Sequence, residues 1–386
     1  MSYHEAVAAV TAPGQRYETE VVEVDGRSMT AFRHGAPTLR QLFASARDRG
    51  DRDFLVYEDE HWSFADVMAH VDALAAYLVD DCGVRVGDRV AIAMRNYPEG
   101  VVSFAAVTSI GGIAVAVNAW WTADELDYAL GDSEPTVVVA DRERVERAAD
   151  SCARRGIRLV GVRLGDGPVP DGVLRWEDVL PLGAPMPDQA PGPDDDVMIL
   201  YTSGTTGRPK GAVSTNRAVN QSLMGFGCRV AVERVRRPPE ADTEPAPPPV
   251  LILVVPLFHV TGLVPVMISC FASGVKLVMM YRWDPERALE IIERERVTSF
   301  VGVPTQSWDM LESPRFAEFD TSSLQSVGGG GAPMPPEMVA RVEKSFAKGR
   351  PSIGYGMTET NAYGPGHSGD DFVHHPTSTG RGTPIM

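Results

Sequence analysis

The sequence has few cysteines: 4 in 386 residues, at Cys82, Cys152, Cys228 and Cys270. They lie far apart with no C-x-x-C pair, which argues against a secreted disulfide framework. Reduced thiols in a cytoplasmic protein are the expected state. The opening stretch, MSYHEAVAAVTAPGQ, has no basic start followed by an apolar core, so no signal peptide is expected. No uncharged apolar run reaches ~18 residues, so no membrane span is expected either. Positive charge is in deficit: Lys and Arg total 36 against 52 Asp and Glu, a net charge of −16. A chain that grips a nucleic-acid backbone carries the opposite sign, so nucleic acid is not expected as a partner. Any anionic ligand must be held by a local device against the overall field.

What is present suits a large folded core: 44% hydrophobic and 23% charged residues, with length for two or three domains. Residues 3–33 alternate weakly and read as an arm or an early strand pair. Thr38 precedes Leu39, Leu42 and Phe43 at helical spacing. Ser63 with Asp66 reads as a capping-box start, and Phe64, Val67, Met68, Val71 and Leu74 continue one helical face. Residues 89–94, 113–117 and 136–140 read as buried strands. A helix is expected over 99–109, and another opens at Thr122 with Glu125. Further strands are expected at 250–255, 276–281 and 298–303, and a helix opens at Asp284-Pro285. Short apolar strands alternating with amphipathic helices predict an α/β fold with largely parallel sheets flanked by helices. Composition shifts at 181–196, rich in Pro and Asp, and at 236–249, which is Pro-rich and reads as an exposed loop. The expected division is 1–185, 186–350 with the glycine-rich loop below, and 351–386.

The strongest local signal is YTSGTTGRPKG at 201–211, after an apolar strand at 197–200. Gly204, Gly207 and Gly211 permit tight turns. Thr202, Ser203, Thr205 and Thr206 supply hydroxyls, and Lys210, with Arg208 beside it, supplies positive charge. Such a loop makes a concave site for a polyphosphate. It is not a Walker A loop, because Lys210 is followed by Gly211 rather than Ser or Thr. Three more segments follow: PLFHVTG at 256–262, GGGGAP at 328–333 after a strand expected at 324–327, and YGMTE at 355–359. Alone, His259 would read as structural, the glycines as a flexible loop and Thr358-Glu359 as a helix start. His367, His374 and His375 lack accompanying Cys or spaced carboxylates and read as a solvated loop. Trp120-Trp121 reads as packing at a subdomain surface.

In this order, the four segments resemble the signatures of the adenylate-forming enzymes, the superfamily of acyl-CoA synthetases and peptide-synthetase adenylation domains. The resemblance runs from about residue 38 to the end. It implies two similar α/β subdomains and the start of a small β-rich one, with STGRGTP at 378–384 as a structural turn into it. It implies activation of a carboxylic acid by ATP and Mg²⁺ to an acyl-adenylate, then thioester formation with CoA. Carried over residue by residue, Thr202, Ser203, Gly204, Thr205, Thr206, Gly207 and Lys210 bind phosphates. Gly331, Ala332, Pro333, Tyr355, Gly356 and Met357 surround the adenine. Thr358 bonds a phosphate and Glu359 holds Mg²⁺. His259 positions the carboxylate, and His259, Val260, Val303, Trp308, Gly328, Gly329 and Gly330 line the acid pocket, the glycines leaving volume. No charged partner for an α-amino group is evident, so a fatty or aryl acid is expected over an amino acid. The partners implied are ATP, a carboxylic acid and CoA, with a homodimer as an assembly to test. The family's ribose-binding Asp and its C-terminal lid domain with a catalytic lysine are not found here. The expectation is therefore a shortened synthetase that binds nucleotide and acid but adenylates poorly. A non-catalytic nucleotide-binding module is the alternative.

Overall fold

Local chemistry accounts for the helix starts. Thr38, Ser63, Thr122, Asp141 and Asp284 each accept a backbone N–H from three residues on, satisfying a donor that the first turn leaves bare. Thr122 and Glu125 complete the expected capping box. Pro98, Pro285, Pro304 and Pro336 open their helices, where a missing N–H costs nothing.

The computed structural model describes residues 1–202, 207–238, 247–382 and 384–385. The chain is α/β throughout and forms two units, each discontinuous in sequence. One comprises Pro37–Asn216 and Leu253–Trp283, here the phosphate-loop unit. The other comprises Met1–Ala36, Arg217–Ile252 and Asp284–Met386, here the glycine-strand unit.

In the phosphate-loop unit, seven strands lie in the order Lys210–Thr215, Asp196–Thr202, Ile113–Ala116, Arg89–Ala93, Val137–Asp141, Arg158–Val162, Val173–Arg175. All neighbours are parallel except Lys210–Thr215, which returns antiparallel beside Asp196–Thr202. Every residue of Val137–Asp141 is buried, as in a sheet covered on both faces. Ala91, Val115, Leu130, Val138, Val145 and Leu159 share one core. A second strand group joins Lys276–Met279, Asp53–Tyr57 and Glu60–Ser63. It is backed by the Phe54 ring, stacked 4.3 Å from Phe64 and edge-on 4.6 Å from Phe271. The Pro/Asp-rich connector is held down: Arg40 donates to the Pro187 carbonyl at 2.8 Å, and Gln189 to that of Ile110 at 2.7 Å.

In the glycine-strand unit, strands run Gly366–Ser368, Arg350–Gly354, Ser326–Gly330, Ser299–Gly302, Val250–Leu253. The three central ones are parallel, and Gly366–Ser368 is antiparallel. The expected early strand pair is the hairpin Thr19–Val24 with Arg27–Phe32. Before it, however, Tyr3–Thr11 is a helix: Ser2 and Glu5 form a capping box, and Tyr3, Ala6 and Val10 pack one face onto Cys228 and Val232. Two further expectations are corrected. The strand expected at 324–327 runs Ser326–Gly330, so Gly328, Gly329 and Gly330 are sheet, not loop. The histidines do not form a loop: His367 lies in a strand and His374 ends the helix Gly369–His374. Part of the Pro-rich segment, residues 239–246, lies outside the described residues. Among the described residues no helix is long and apolar enough to cross a membrane.

Candidate functional site

Thr202 pairs with Lys210 where the antiparallel strands Asp196–Thr202 and Lys210–Thr215 meet. Ser203, Gly204, Thr205 and Thr206 lie outside the described residues. Gly207 sits at φ +88°, a left-handed conformation that glycine adopts at little cost. A Cβ on Gly211 would come within 2.7 Å of the Ile199 side chain, so that glycine serves strand packing. Lys210 is exposed at the start of the return strand. Sequence reasoning missed what braces this strand pair. The helix Ala123–Ser133 grips it at two points: the Tyr201 hydroxyl donates to Asp132 Oδ2 at 2.8 Å, and the Tyr128 hydroxyl donates to the Pro209 carbonyl at 3.1 Å. The Arg208 guanidinium lies 5.4 Å from the centre of the Tyr128 ring. Burial, reinforced by the Asp132 carboxylate, pushes the Tyr201 hydroxyl well above the usual tyrosine range, so it stays a donor.

The second landmark belongs to the same unit and is clamped by another residue that sequence reasoning missed. Asn96 is buried; its Nδ2 donates to the Val255 carbonyl at 3.1 Å, and its Oδ1 accepts from the Leu257 N–H at 2.9 Å. Asn96 lies three residues past the end of the strand Arg89–Ala93, and the carboxyl end of a parallel strand is the place to look for such a group. Gly262 closes the turn, since a Cβ there would lie 2.4 Å from the Pro256 carbonyl. His259 is exposed, its ring 4.9 Å from Phe258 and 6.0 Å from Trp120. Desolvation still lowers the pKa of the imidazole, which favours its neutral form.

In the glycine-strand unit the remaining landmarks share one register. Gly302 pairs with Gly329, and Gly330 pairs with Gly354. The carboxyl ends of three adjacent parallel strands therefore carry Val303 to Trp308, Gly331 to Pro333 and Tyr355 to Glu359 side by side. Open α/β sheets bind ligands at such ends. The glycine run has a different physical cause from the one expected. A Cβ on Gly328 would sit 1.9 Å from the Ser352 carbonyl, one on Gly329 1.8 Å from that of Gly302, and one on Gly330 2.6 Å from that of Gly354. The missing side chains let strands pack closely; the space is filled by neighbouring backbone and is not free for an acid.

Past the run, Gly331 turns at φ +81°, and Gly331, Ala332 and Pro333 are exposed. Tyr355 and Met357 are 51% and 47% exposed, which leaves an aromatic face and a thioether open to a ligand. The backbone beneath them is fixed. Tyr355 N–H donates to the Pro365 carbonyl at 2.9 Å, and a Cβ on Gly356 would lie 2.3 Å from Ala362. Thr358, Glu359 and Thr360 form a single 3₁₀ turn, which Thr360 ties back to the Met357 N–H at 3.0 Å. Asn361 and Ala362 follow at φ +54° and +58°, a strained pair that holds the motif in shape. Glu359 is exposed and makes no ion pair among the described residues. Among those residues no group of three or more His, Cys, Asp or Glu could hold a metal. Trp308 is 46% exposed and faces the Arg341 guanidinium at 4.8 Å. Val303 N–H donates to Gln306 Oε1 at 2.9 Å.

Comparison with known proteins adds four findings. A family model described as AMP-binding enzyme matches residues 42–385. A feruloyl-CoA synthase from an Amycolatopsis species is 33% identical over 298 residues, covering 77% of this chain and 54% of that protein. Among solved structures, one described as a long-chain-fatty-acid CoA ligase from Rhodopseudomonas palustris superposes with a TM-score of 0.76 at 27% identity, over 90% of this chain and 82% of its own. ATP-bound MatB from the same species superposes with a TM-score of 0.68 at 28% identity, over 86% and 62%. The chain spans about half the length of the curated relatives it matches.

Proposed function

The chain belongs to the AMP-binding enzyme family, and from that premise we propose that it serves the ATP-dependent activation of a carboxylic acid to an acyl-adenylate, with the acyl group passed on to the thiol of CoA. One observation carries the reading: three loops of the kind that hold a flat ring and an acyl group leave adjacent, in-register parallel strands at their carboxyl ends. In the reaction a carboxylate oxygen attacks the α-phosphorus of ATP, the bond to the bridging oxygen breaks, and pyrophosphate leaves. Little covalent chemistry falls to the protein; its work is positioning and charge stabilisation.

In this reading Tyr355 stacks on the adenine, Gly331, Ala332 and Pro333 flank it, and Gly356 and Met357 complete that wall. Lys210 and the hydroxyls from Thr202 to Thr206 balance the terminal phosphates, and Thr358 donates to a phosphate oxygen. His259, whose neutral form is favoured by desolvation, donates a ring N–H to the incoming carboxylate. An exposed carboxylate outside any ligand cluster suits a metal that arrives with the nucleotide, so Glu359 is assigned to Mg²⁺. Bound there, Mg²⁺ would neutralise charge on the phosphate oxygens. Val260, Val303 and Trp308 supply apolar walls for the acid, and residues 328–330 contribute backbone. The class of acid is aryl or fatty, supported by the names of the relatives.

The test is mass spectrometry of acyl-adenylates formed from ATP, Mg²⁺, ferulate and a panel of fatty acids, run beside calorimetric titration with ATP. An acid-dependent adenylate and Mg²⁺-dependent ATP binding are expected. Absence of both would overturn the reading.

A further inference from the structure

The sequence places two tryptophans together, Trp120 and Trp121, in the turn between the strand Ile113–Ala116 and the capped helix Ala123–Ser133. They do not pack as a pair on one surface. The Trp120 ring lies edge-on to Phe258 at 5.1 Å and tilted against His259 at 6.0 Å. The Trp121 ring points the other way, edge-on to Tyr201 at 5.5 Å. His259 and Tyr201 belong to different landmarks: one to the segment assigned to the acid, the other to the strand Asp196–Thr202, which leads into the segment assigned to the phosphates. All of these residues lie within the phosphate-loop unit.

The turn that carries the indoles is held from several directions. Asn118 Oδ1 accepts the Trp120 N–H at 2.9 Å, and the Asn118 carbonyl accepts the Trp121 N–H at 3.2 Å. From the helix Arg142–Arg155, the buried Arg144 donates to the Ala119 carbonyl at 2.8 Å, and Arg147 donates to that of Trp121 at 2.7 Å. The Arg95 guanidinium lies between the Trp120 ring, 5.7 Å away, and the Tyr281 ring, 5.5 Å away. Arg95 is itself tied to the sheet through its N–H on Asp141 at 2.9 Å. These bonds hold the backbone of the turn, from which the Trp120 ring, 53% exposed, meets Phe258 and His259 on one side and the Trp121 ring meets Tyr201 on the other.

We propose that the Trp120-Trp121 turn is a two-sided bracket, in which Trp120 positions the His259 ring and Trp121 positions Tyr201 near the end of the strand Asp196–Thr202. The proposal rests on the functional reading above for what each side binds. Both tryptophans are positioning residues, since each acts through the ring it touches. An aromatic pair contact of this kind has an effect of about two- to tenfold on an equilibrium.

The experiment uses the full chain with Trp120→Ala, Trp120→Phe, Trp121→Ala and Trp121→Phe. The readouts are the His259 ring signal in ¹H–¹³C NMR, assigned with His259→Gln, and the Kd for ATP with Mg²⁺ by calorimetry. Trp120→Ala should move the His259 signal, because the ring current of the indole is lost, and leave the ATP Kd within twofold. Trp121→Ala should weaken ATP about two- to tenfold and leave the His259 signal in place. Each Phe variant should restore most of its own readout, which separates ring placement from a loss of folding. Trp120→Ala with an unmoved His259 signal would overturn the bracket, as would Ala variants that shift both readouts alike. If the wild-type chain binds no ATP, the functional reading fails, and the His259 signal still decides the Trp120 side.

Discussion

Asn96 offers the sharpest quantitative test, because its two hydrogen bonds are fully specified and fully buried. Asn96→Ala removes the donor to the Val255 carbonyl and the acceptor for the Leu257 N–H, and Asn96, Val255 and Leu257 are 5%, 5% and 8% exposed. Water cannot easily replace the lost partners, so each backbone group is left close to its full desolvation penalty, ~1–3 kcal/mol. The expected loss of stability is therefore ~2–6 kcal/mol, read as a lower urea midpoint with an unchanged slope. Hydrogen exchange at the Leu257 amide should accelerate in the same variant, since that N–H loses its acceptor. Asn96→Asp refines the test. Its carboxylate still accepts from Leu257 but faces the Val255 carbonyl, which only a protonated carboxyl can satisfy. The folded-state pKa of the new Asp is then raised. The variant's deficit against wild type should be smallest below the ordinary carboxyl range and grow as pH rises through the raised value. A loss under ~1 kcal/mol for Asn96→Ala, with Leu257 exchange unchanged, would refute the clamp.

Four further outcomes follow from the geometry. Gly329→Ala should abolish folding or cost several kcal/mol in a thermal melt, since its Cβ would fall 1.8 Å from the Gly302 carbonyl at a φ of +153°. Glu359→Gln should weaken ATP binding in the presence of Mg²⁺ and leave Mg²⁺-free binding alone; an unchanged Mg²⁺ effect would remove Glu359 as a ligand. Lys210→Ala should weaken ATP more than AMP, and because Lys210 is one of only 4 lysines in the chain, its protection from acetylation by ATP can be followed with little background. His259 has a lowered pKa in the folded chain, so the unfolded chain binds its proton more readily, and stability should fall as pH drops below the ordinary His value of ~6.5. His259→Gln should flatten that part of the urea-derived stability profile.

Much of the fold was legible because its determinants are local. Thr122 with Glu125, Ser63 with Asp66 and Asp284 before Pro285 announce helices through caps that need only three or four residues. Buried parallel strands such as Val137–Asp141 are apolar at every position but the last and are hard to misread. The helix Tyr3–Thr11 was missed although Ser2 and Glu5 spell a capping box, because its apolar face is only Tyr3, Ala6 and Val10 and takes its meaning from Cys228 and Val232, more than two hundred residues on. The glycine run shows the same limit from the other side. Its composition is that of a loop, and what makes it a strand is the Gly302, Ser352 and Gly354 backbone on either side, which sequence order does not bring together. The candidate site divides in the same way. Groups that would meet a ligand stand in contiguous motifs and can be read one by one. Groups that hold those motifs, such as Asn96 on Val255 and Leu257, Tyr128 on Pro209 and Trp120 against His259, act across 81 to 161 residues of chain. Each is an ordinary residue type for its own segment, so only the fold distinguishes it. That asymmetry bears on how variants should be chosen: substitutions within a motif test what the ligand is, and substitutions at Asn96, Tyr128 or Trp120 test whether placement, rather than the presence of the motif, sets how well it is bound.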